Sequence, residues 1–388
     1  ADNMPTAYNL IPRQSYFDLV PQDKKENRLI NFIDHQDLKD AVEKYGLEID
    51  KLNELEEYLL GEEGREKPDI YDLKKANTLN INLYNNAKEV YQMLDTWQPG
   101  DNMRVIQVGG WGMETKIGLD YKEYKNILLG KYLSYKVRET VNGDGTVVLP
   151  SALYMNESTN VEKWLVDLLE YRSFSGKILP IKHADILEIP QLLSFIKSKI
   201  QNINFEDSNK IILKDKSNTL PKDKKLIYTL HSPLYLGVFD SEGKFTGRDE
   251  KGILKQEIPG VEYDEVGEVQ TLSIPIELAH TLKLYGYEEG VFALDVDLFL
   301  NDKYSSNNLF QGIKTGPNTV VELSFTNEDS LKNLKLALDY EGDGIYEEEF
   351  LPEKEEVIVE EVKKVENPGG VVLTQFLNQN TIPLILGE

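Results

Sequence analysis

The turn at residues 142–147 constrains the fold of this chain more than any other feature. It reads Asn-Gly-Asp-Gly-Thr-Val and follows a strand predicted over residues 132–138. The histidine His183 lies 39 residues after Asp144. Small residues on both sides of Asp144 let its carboxylate project from the end of a strand, where an acid can orient a histidine that exchanges protons. The alternative is a plain hairpin turn, which Asn-Gly and Asp-Gly also favour.

The chain on both sides of this turn has the texture of an α/β sheet. Residues 103–108 predict a strand that ends in Gly-Gly-Trp-Gly, residues 161–169 predict a helix, and a strand at 176–181 is expected to deliver His183. An amphipathic helix predicted over residues 189–200 closes this part. Alternating strands and helices over residues 101–205 indicate part of an α/β core. The Gly-Gly-Trp-Gly stretch lacks the Gly-Lys-Ser/Thr ending of a phosphate-binding loop.

Residues 1–100 predict mainly helices. Apolar residues recur at helical spacing over residues 32–47, and Ile49, Leu52, Leu55 and Leu59 continue the pattern after Asp50, a candidate N-cap. A third helical run is predicted over residues 72–94. We therefore expect a helical region to precede the α/β part.

The second half predicts an all-β domain and a tail. Residues 206–225 are polar and Lys-rich, as in a linker. Short alternating strands separated by turns over residues 226–350 predict an antiparallel, Ig-like β-sandwich. Residues 351–388 are first acidic and then apolar, which indicates a tail or an extra strand, and a candidate contact for self-association.

One acidic turn in the β region raises the question of calcium. Asp339, Glu341 and Asp343 alternate along the chain and a glycine follows, as in calcium loops. An EF-hand needs a bidentate acid at its twelfth position, which here is Phe350. A β-turn between two strands is therefore the main interpretation, with a looser calcium site as the alternative. No other cofactor is expected.

Composition limits the classes of partner. The chain has 388 residues, enough for two or three domains, and a formal net charge of −24, which argues against nucleic acid and anionic membranes. It has no cysteine, so thiolate chemistry is excluded. The surface, rich in Tyr, Asn and acids, favours an extracellular or cell-surface location. The start at Ala1, with neither an initiator Met nor a leader, leads us to expect an upstream segment.

Several motifs together resemble one enzyme family. Residues 4–200 resemble the part of lecithin:cholesterol acyltransferase-like lipases that follows the nucleophile, through residues 3–12, 108–115, 142–147 and 182–187. The resemblance implies a partial α/β-hydrolase with a helical cap at residues 1–100, in which Asp144 is the triad acid and His183 the base. The β region is similar to sandwich modules appended to exported bacterial proteins. The remaining histidines, His35, His231 and His280, are expected to be structural.

The nucleophile of such a site is missing, because no Gly-x-Ser-x-Gly occurs in the chain. One hypothesis is an extracellular serine esterase, lipase or acyltransferase acting on an ester or lipid. This chain would supply its acid and base, and the serine would belong to a missing N-terminal half, encoded by the same gene or carried by a separate chain. The other hypothesis is a non-catalytic surface, adhesion or assembly protein that reuses a hydrolase-like fragment.

Overall fold

Strands outnumber helices in the part of the chain that the computed structural model describes. The described α-helices have 4 to 16 residues, and none of them is long and apolar enough to cross a membrane. Most strand pairs are antiparallel, so the molecule is a mixed α and β protein in which antiparallel sheets predominate. The described residues are 10–20, 27–32, 46–60, 79–126, 130–156, 158–175, 183–214, 224–231, 233–300, 303–354, 363–366 and 372–375.

The N-terminal region contains strands as well as helices. The helix predicted over residues 32–47 is wrong at its described ends, where β1 (Ile30–Phe32) and β2 (Glu48–Ile49) pair antiparallel. The two strands form because their apolar side chains are buried against Leu55 and Tyr58 of the next helix. The helices here are α1 (Gln14–Leu19), α2 (Leu52–Leu60) and α3 (Ile81–Thr96).

A long hairpin extends the N-terminal strands into a four-stranded sheet. After β3 (Val105–Trp111), the chain forms β4 (Thr115–Asn126) and β5 (Gly130–Thr140), which pair antiparallel. β1 pairs in parallel with β4, so the sheet order is β2-β1-β4-β5. The hairpin is thus inserted between β3 and the turn that carries Asp144.

A second sheet has the parallel pairing typical of α/β proteins. β3 pairs in parallel with β6 (Val161–Asp167), and the short β7 (Ile212–Leu213) adds antiparallel to β6. The helix predicted over residues 161–169 is therefore wrong. Residues 161–167 are a strand because all seven pair with β3, and a helix starts only at Leu168. The segment predicted as a linker, residues 206–225, contributes β7, because Ile211 and Ile212 are buried in the apolar core of this sheet.

Helices flank this second sheet. They are α4 (Leu149–Ala152), α5 (Leu168–Ser175), a 3-10 helix (His183–Glu188) and α6 (Pro190–Gln201). The helix predicted over residues 189–200 is confirmed as α6, which starts at a proline and ends at Asn202 in the left-handed conformation (φ 53°). Phe195 and Leu192 of α6 are buried against the sheet. The strand predicted at residues 176–181 lies outside the described residues.

The C-terminal half consists of two antiparallel sheets around one apolar core, as a β-sandwich requires. Their Ig-like character stays a prediction. The strands are β8 (Lys224–His231), β9 (Leu234–Asp240), β10 (Phe245–Arg248), β11 (Leu254–Gln256), β12 (Glu262–Val266), β13 (Val269–Pro275), β14 (His280–Gly286), β15 (Gly290–Leu300), β16 (Lys303–Thr315), β17 (Val320–Phe325), β18 (Leu336–Asp339), β19 (Glu348–Phe350) and β20 (Glu353–Lys354). The seven-stranded sheet has the order β11-β10-β9-β14-β17-β18-β19 and the six-stranded sheet β12-β13-β8-β15-β16-β20.

Little of the C-terminal tail is described. β20 pairs with β16 of the sandwich, so the tail begins as an edge strand. Two further strands, β21 (Lys363–Glu366) and β22 (Val372–Gln375), pair only with each other in the described residues. The rest of the predicted tail, residues 376–388 included, lies outside them. A short 3-10 helix, Glu328–Asn333, precedes β18.

Candidate active site

Asp144 lies in a tight turn whose backbone fixes one of its two carboxylate oxygens. Oδ1 accepts hydrogen bonds from the backbone N–H groups of Thr146 (3.1 Å) and Val147 (2.8 Å). The residue is only 4% exposed. Because the turn uses Oδ1, Oδ2 is the oxygen that is left to contact another side chain.

The structure brings His183 to that second oxygen. Nδ1 of His183 lies 2.7 Å from Oδ2 of Asp144, although the two residues are 39 positions apart. A carboxylate only accepts hydrogen bonds, so the proton of this contact is on Nδ1 and the neutral ring keeps Nε2 as an acceptor. The imidazole is 47% exposed and the Asp144 side chain 5%. The pair therefore has a shielded acid and an accessible base.

The pair borders an apolar groove with a volume of about 740 Å³. The groove lies between β3 and α6, and no described residue of the first hundred lines it, so the predicted cap has no described part in it. No serine, threonine or cysteine is found among the described residues that line it either. The lining is mostly aliphatic, and includes Ile106, Val108, Ile186, Leu192, Phe195 and Ile196.

Two basic residues line one part of this groove, and both contact the same acid. Arg104 and Lys199 both contact Glu162, the latter at 2.8 Å. Burial opposes ionisation of Glu162, but hydrogen bonds from Lys199, Arg104 and Trp164 outweigh it and lower its pKa to about 2. Glu162 therefore stays charged at neutral pH, and the two cations share this one carboxylate on β6.

The glycines at the end of β3 allow the acid and base segments to approach the strand. A Cβ on Gly110 would lie 2.6 Å from Cβ of Asp144 and 2.9 Å from Cδ1 of Ile186, the latter in the 3-10 helix that begins at His183. Any side chain here would push the two segments apart. The glycines are thus inside a packed strand, not in a loop that could cradle a phosphate.

A second Asp–His pair, which sequence reasoning missed, lies between the hairpin and the sandwich. Nε2 of His231 is 3.2 Å from Oδ2 of Asp295, and the hydroxyl of Ser134 on β5 is 2.7 Å from Nδ1. Both ring and carboxylate are buried, at 1% and 0% exposure. Burial lowers the pKa of His231, although Asp295 counteracts this. The three residues thus form a Ser–His–Asp chain with a neutral, inaccessible base.

Other polar groups complete this buried network. Lys136 of the hairpin lies 2.6 Å from Oδ1 of Asp295 and 3.1 Å from Asp297. The hydroxyl of Tyr124 donates to Asp295 (2.9 Å), and Asn307 donates to both aspartates. Burial opposes ionisation of Asp295, yet the charge of Lys136 keeps its pKa below the ordinary value. The network therefore joins the hairpin to the sandwich.

The remaining histidines have no part in the groove as far as the structure describes them. His280 is buried in the sandwich, where its Nδ1 donates to the carbonyl of Leu278 (2.6 Å) and Tyr228 donates to its Nε2 (2.8 Å). Burial lowers its pKa to about 4. His35 lies outside the described residues.

The acidic turn of the sandwich gathers three carboxylates, but not the three that the sequence suggested. Asp339, Asp343 and Glu347 have oxygens within 4.8 Å of one another, whereas Glu341 is not in the group. Asp339 also accepts backbone N–H groups from residues 341–344, so it builds the turn itself. Phe350 lies in β19. The donors suit a hard cation such as calcium, and the turn needs no ion to explain its shape.

The chain was compared with protein families, curated proteins and solved structures. No family model, no curated protein and no solved structure matches the chain.

Proposed function

We propose that this chain supplies the acid and base of an extracellular or surface serine hydrolase of the lipase, esterase or acyltransferase type. The observation that carries the proposal is the 2.7 Å contact between Oδ2 of Asp144 and Nδ1 of His183 beside an apolar groove. The resemblance of residues 4–200 to the post-nucleophile part of lecithin:cholesterol acyltransferase-like lipases supports it. The nucleophilic serine then comes from a segment outside this chain.

The geometry suits the two proton transfers of such a reaction. Nε2 of His183 accepts the proton of the serine hydroxyl as its oxygen attacks the ester carbonyl, and Asp144 stabilises the resulting imidazolium. When the tetrahedral intermediate collapses, the imidazolium returns that proton to the leaving alcohol. A water or acceptor alcohol then repeats the cycle on the acyl-serine. The groove's aliphatic lining suits an ester or lipid environment.

The sheet around the pair supports a contribution from another segment. β3 pairs with β6 on one edge, and with no described strand on its other edge. Parallel strands are normally interior strands covered on both faces. We therefore propose that the serine-bearing segment lies along the edge of β3 that has no described partner, with the region at residues 1–100 as its cap and the sandwich as an accessory domain.

The alternative is a non-catalytic surface or assembly protein that keeps the hydrolase fragment as building material. It is favoured by the lack of any hydroxyl or thiol side chain in the described lining of the groove. In that case the C-terminal tail is the candidate contact for a neighbouring copy. The two functions differ in whether the native gene product contains a reactive serine.

The deciding experiment is fluorophosphonate labelling of the native, full-length gene product, with mass spectrometry to locate the adduct. The proposal expects a labelled serine upstream of Ala1 and loss of labelling in Asp144→Asn and His183→Ala. Asp339→Asn is the matched control, because Asp339 is also buried and also accepts backbone N–H groups, but lies in the sandwich. No labelling of folded protein would support the assembly role, and an adduct on Ser134 would move the site to the second Asp–His pair.

A further inference from the structure

The hydroxyl of Thr115 links the two ends of the inserted hairpin. Thr115 is the first residue of β4 and is 1% exposed. Its Oγ1 donates to the carbonyl of Met113 (2.8 Å) and accepts the backbone N–H of Gly145 (2.9 Å). Gly145 immediately follows Asp144, so this side chain contacts the acid turn at the peptide next to the acid.

The turn is also held on the other side of Asp144. The N–H of Met113 donates to the carbonyl of Gly143 (3.1 Å), and Met113 and Asp144 form a β-bridge. A Cβ on Gly143 would lie 2.3 Å from Oγ1 of Thr115 and 2.7 Å from its Cβ. Residues 143 and 145 are therefore both fixed against the strand end that contains Thr115.

From these contacts we infer that Thr115 is a positioning residue for Asp144. The carboxylate has one oxygen on its own turn and one on His183, so a rotation of the 144–145 peptide would move both contacts. The Thr115 hydroxyl opposes this rotation because it accepts the Gly145 N–H from a 1% exposed side chain that is itself held by its bond to the carbonyl of Met113. This role matters for catalysis only if the proposed function is right. The Asp144–His183 contact itself does not depend on a reacting serine.

The test is the tautomer of His183, read by ¹⁵N NMR of this chain with labelled histidine. An acceptor at Nδ1 selects the Nδ1–H form, which ¹⁵N shifts distinguish from the Nε2–H form. We expect Nδ1–H in the native chain, loss of this signature in Thr115→Val, and its return in Thr115→Ser. His183→Gln assigns the signal, and Asp144→Asn shows the spectrum of the broken pair.

Thr319→Val is the matched control. Thr319 is also 1% exposed, and its Oγ1 accepts the N–H of Gly316 at 2.9 Å, but it lies in the sandwich. Urea unfolding should show similar losses of stability for the two valine variants, while only Thr115→Val changes the His183 signal. If Thr115→Val keeps the native tautomer, Thr115 is merely structural and the inference is wrong. Fluorophosphonate labelling tests the proposed enzyme separately, because the ¹⁵N signal of His183 reports its contact with Asp144 even if no serine reacts.

Discussion

The molecule contains two Asp–His pairs whose surroundings are opposite. Asp144–His183 lies at the end of a strand beside a groove, with an imidazole that is 47% exposed. Asp295–His231 lies between two sheets, with ring and carboxylate at 1% and 0% exposure. The buried pair even has a serine, Ser134, on the histidine's other nitrogen. The same Asp–His contact thus occurs both beside an accessible groove and in a closed joint between two sheets.

Access and charge balance separate the two. At the groove, no described cation contacts Asp144, so its charge is available to stabilise an imidazolium. In the interface, Lys136 contacts Asp295 at 2.6 Å and Asp297 at 3.1 Å, so it already compensates part of their charge. A proton on His231 would place a positive charge on a ring that is 1% exposed, which is costly. Geometry alone would select both pairs as candidates, and burial selects the first.

The largest expected effect is on reactivity. If Asp144–His183 is the catalytic pair, Asp144→Asn should slow fluorophosphonate labelling of the full-length product by about 10⁴-fold, because the histidine loses its correct tautomer. Asp295→Asn should leave the labelling rate of protein that remains folded within a few fold. Equal losses in the two folded variants would break the distinction between the pairs. Circular dichroism before labelling checks that each variant is folded.

The next largest effect is on stability, and here we expect the buried pair to matter more than the groove pair. Asp295→Ala leaves Lys136 with Asp297 as its remaining acidic partner. It also removes the hydrogen-bond partner of the buried His231 and Tyr124, so we expect a loss of about 3–5 kcal/mol in the free energy of unfolding. Glu289→Ala, at an exposed acid in the same half of the chain, should change it by no more than about 0.5 kcal/mol. Urea unfolding measures both. A similar small change in the two would mean that the interface network does not hold the sandwich to the hairpin.

The contact between Asp144 and His183 can be expected from the sequence because the turn around Asp144 has a local signal. A tight turn needs a positive φ that glycine adopts easily, as Gly145 does (φ 89°), and His183 is one of only four histidines. The antiparallel β region is also predictable, since its alternation and turns recur over short distances. Helix α6 has a proline start and an apolar stripe, which are again local features.

The buried pair was not predictable from spacing, because its members are brought together only by tertiary structure. Ser134 and His231 are 97 residues apart, and His231 and Asp295 are 64 apart. One signal was present: Asp295 and Asp297 interrupt the apolar run of β15, and an acid in a buried strand needs a partner. The strand at residues 161–167 was missed for a similar reason, since short apolar runs do not separate strand from helix until their pairing is known.

A third effect concerns pH and the other buried histidine. The pKa of His280 is about 4 in the fold and about 6.5 in an unfolded chain. Protons therefore bind the unfolded state more strongly, and the contribution of neutral His280 is complete above pH 6.5 and is lost as pH falls towards 4. We expect the stability advantage of the native chain over His280→Gln to shrink by about 3 kcal/mol between pH 7 and pH 4.

The difference in the free energy of unfolding between the native chain and His280→Gln reports the titration of His280 alone. The titration of carboxylates between pH 7 and pH 4 also changes the stability of the fold. This contribution is present in both proteins and cancels. A constant difference across the pH range would show that His280 accepts a proton without cost. Urea unfolding at a series of pH values supplies the data.

The smallest expected effect compares two lysines of the β4–β5 hairpin, one exposed and one largely covered. Lys125 at its tip contacts Glu353 of the tail at 2.7 Å, with both side chains about half exposed, whereas the Lys136 side chain is only 16% exposed beside Asp295. An exposed ion pair is hydrated and screened by salt, so Lys125→Gln should lower the free energy of unfolding by only about 0.2–1 kcal/mol. This loss should vanish in high salt, while that of Lys136→Gln should persist. Urea unfolding at low and high salt compares the two lysines. If both losses have the same salt dependence, burial does not distinguish the two ends of the hairpin, and the argument that burial also distinguishes the two Asp–His pairs loses its physical basis.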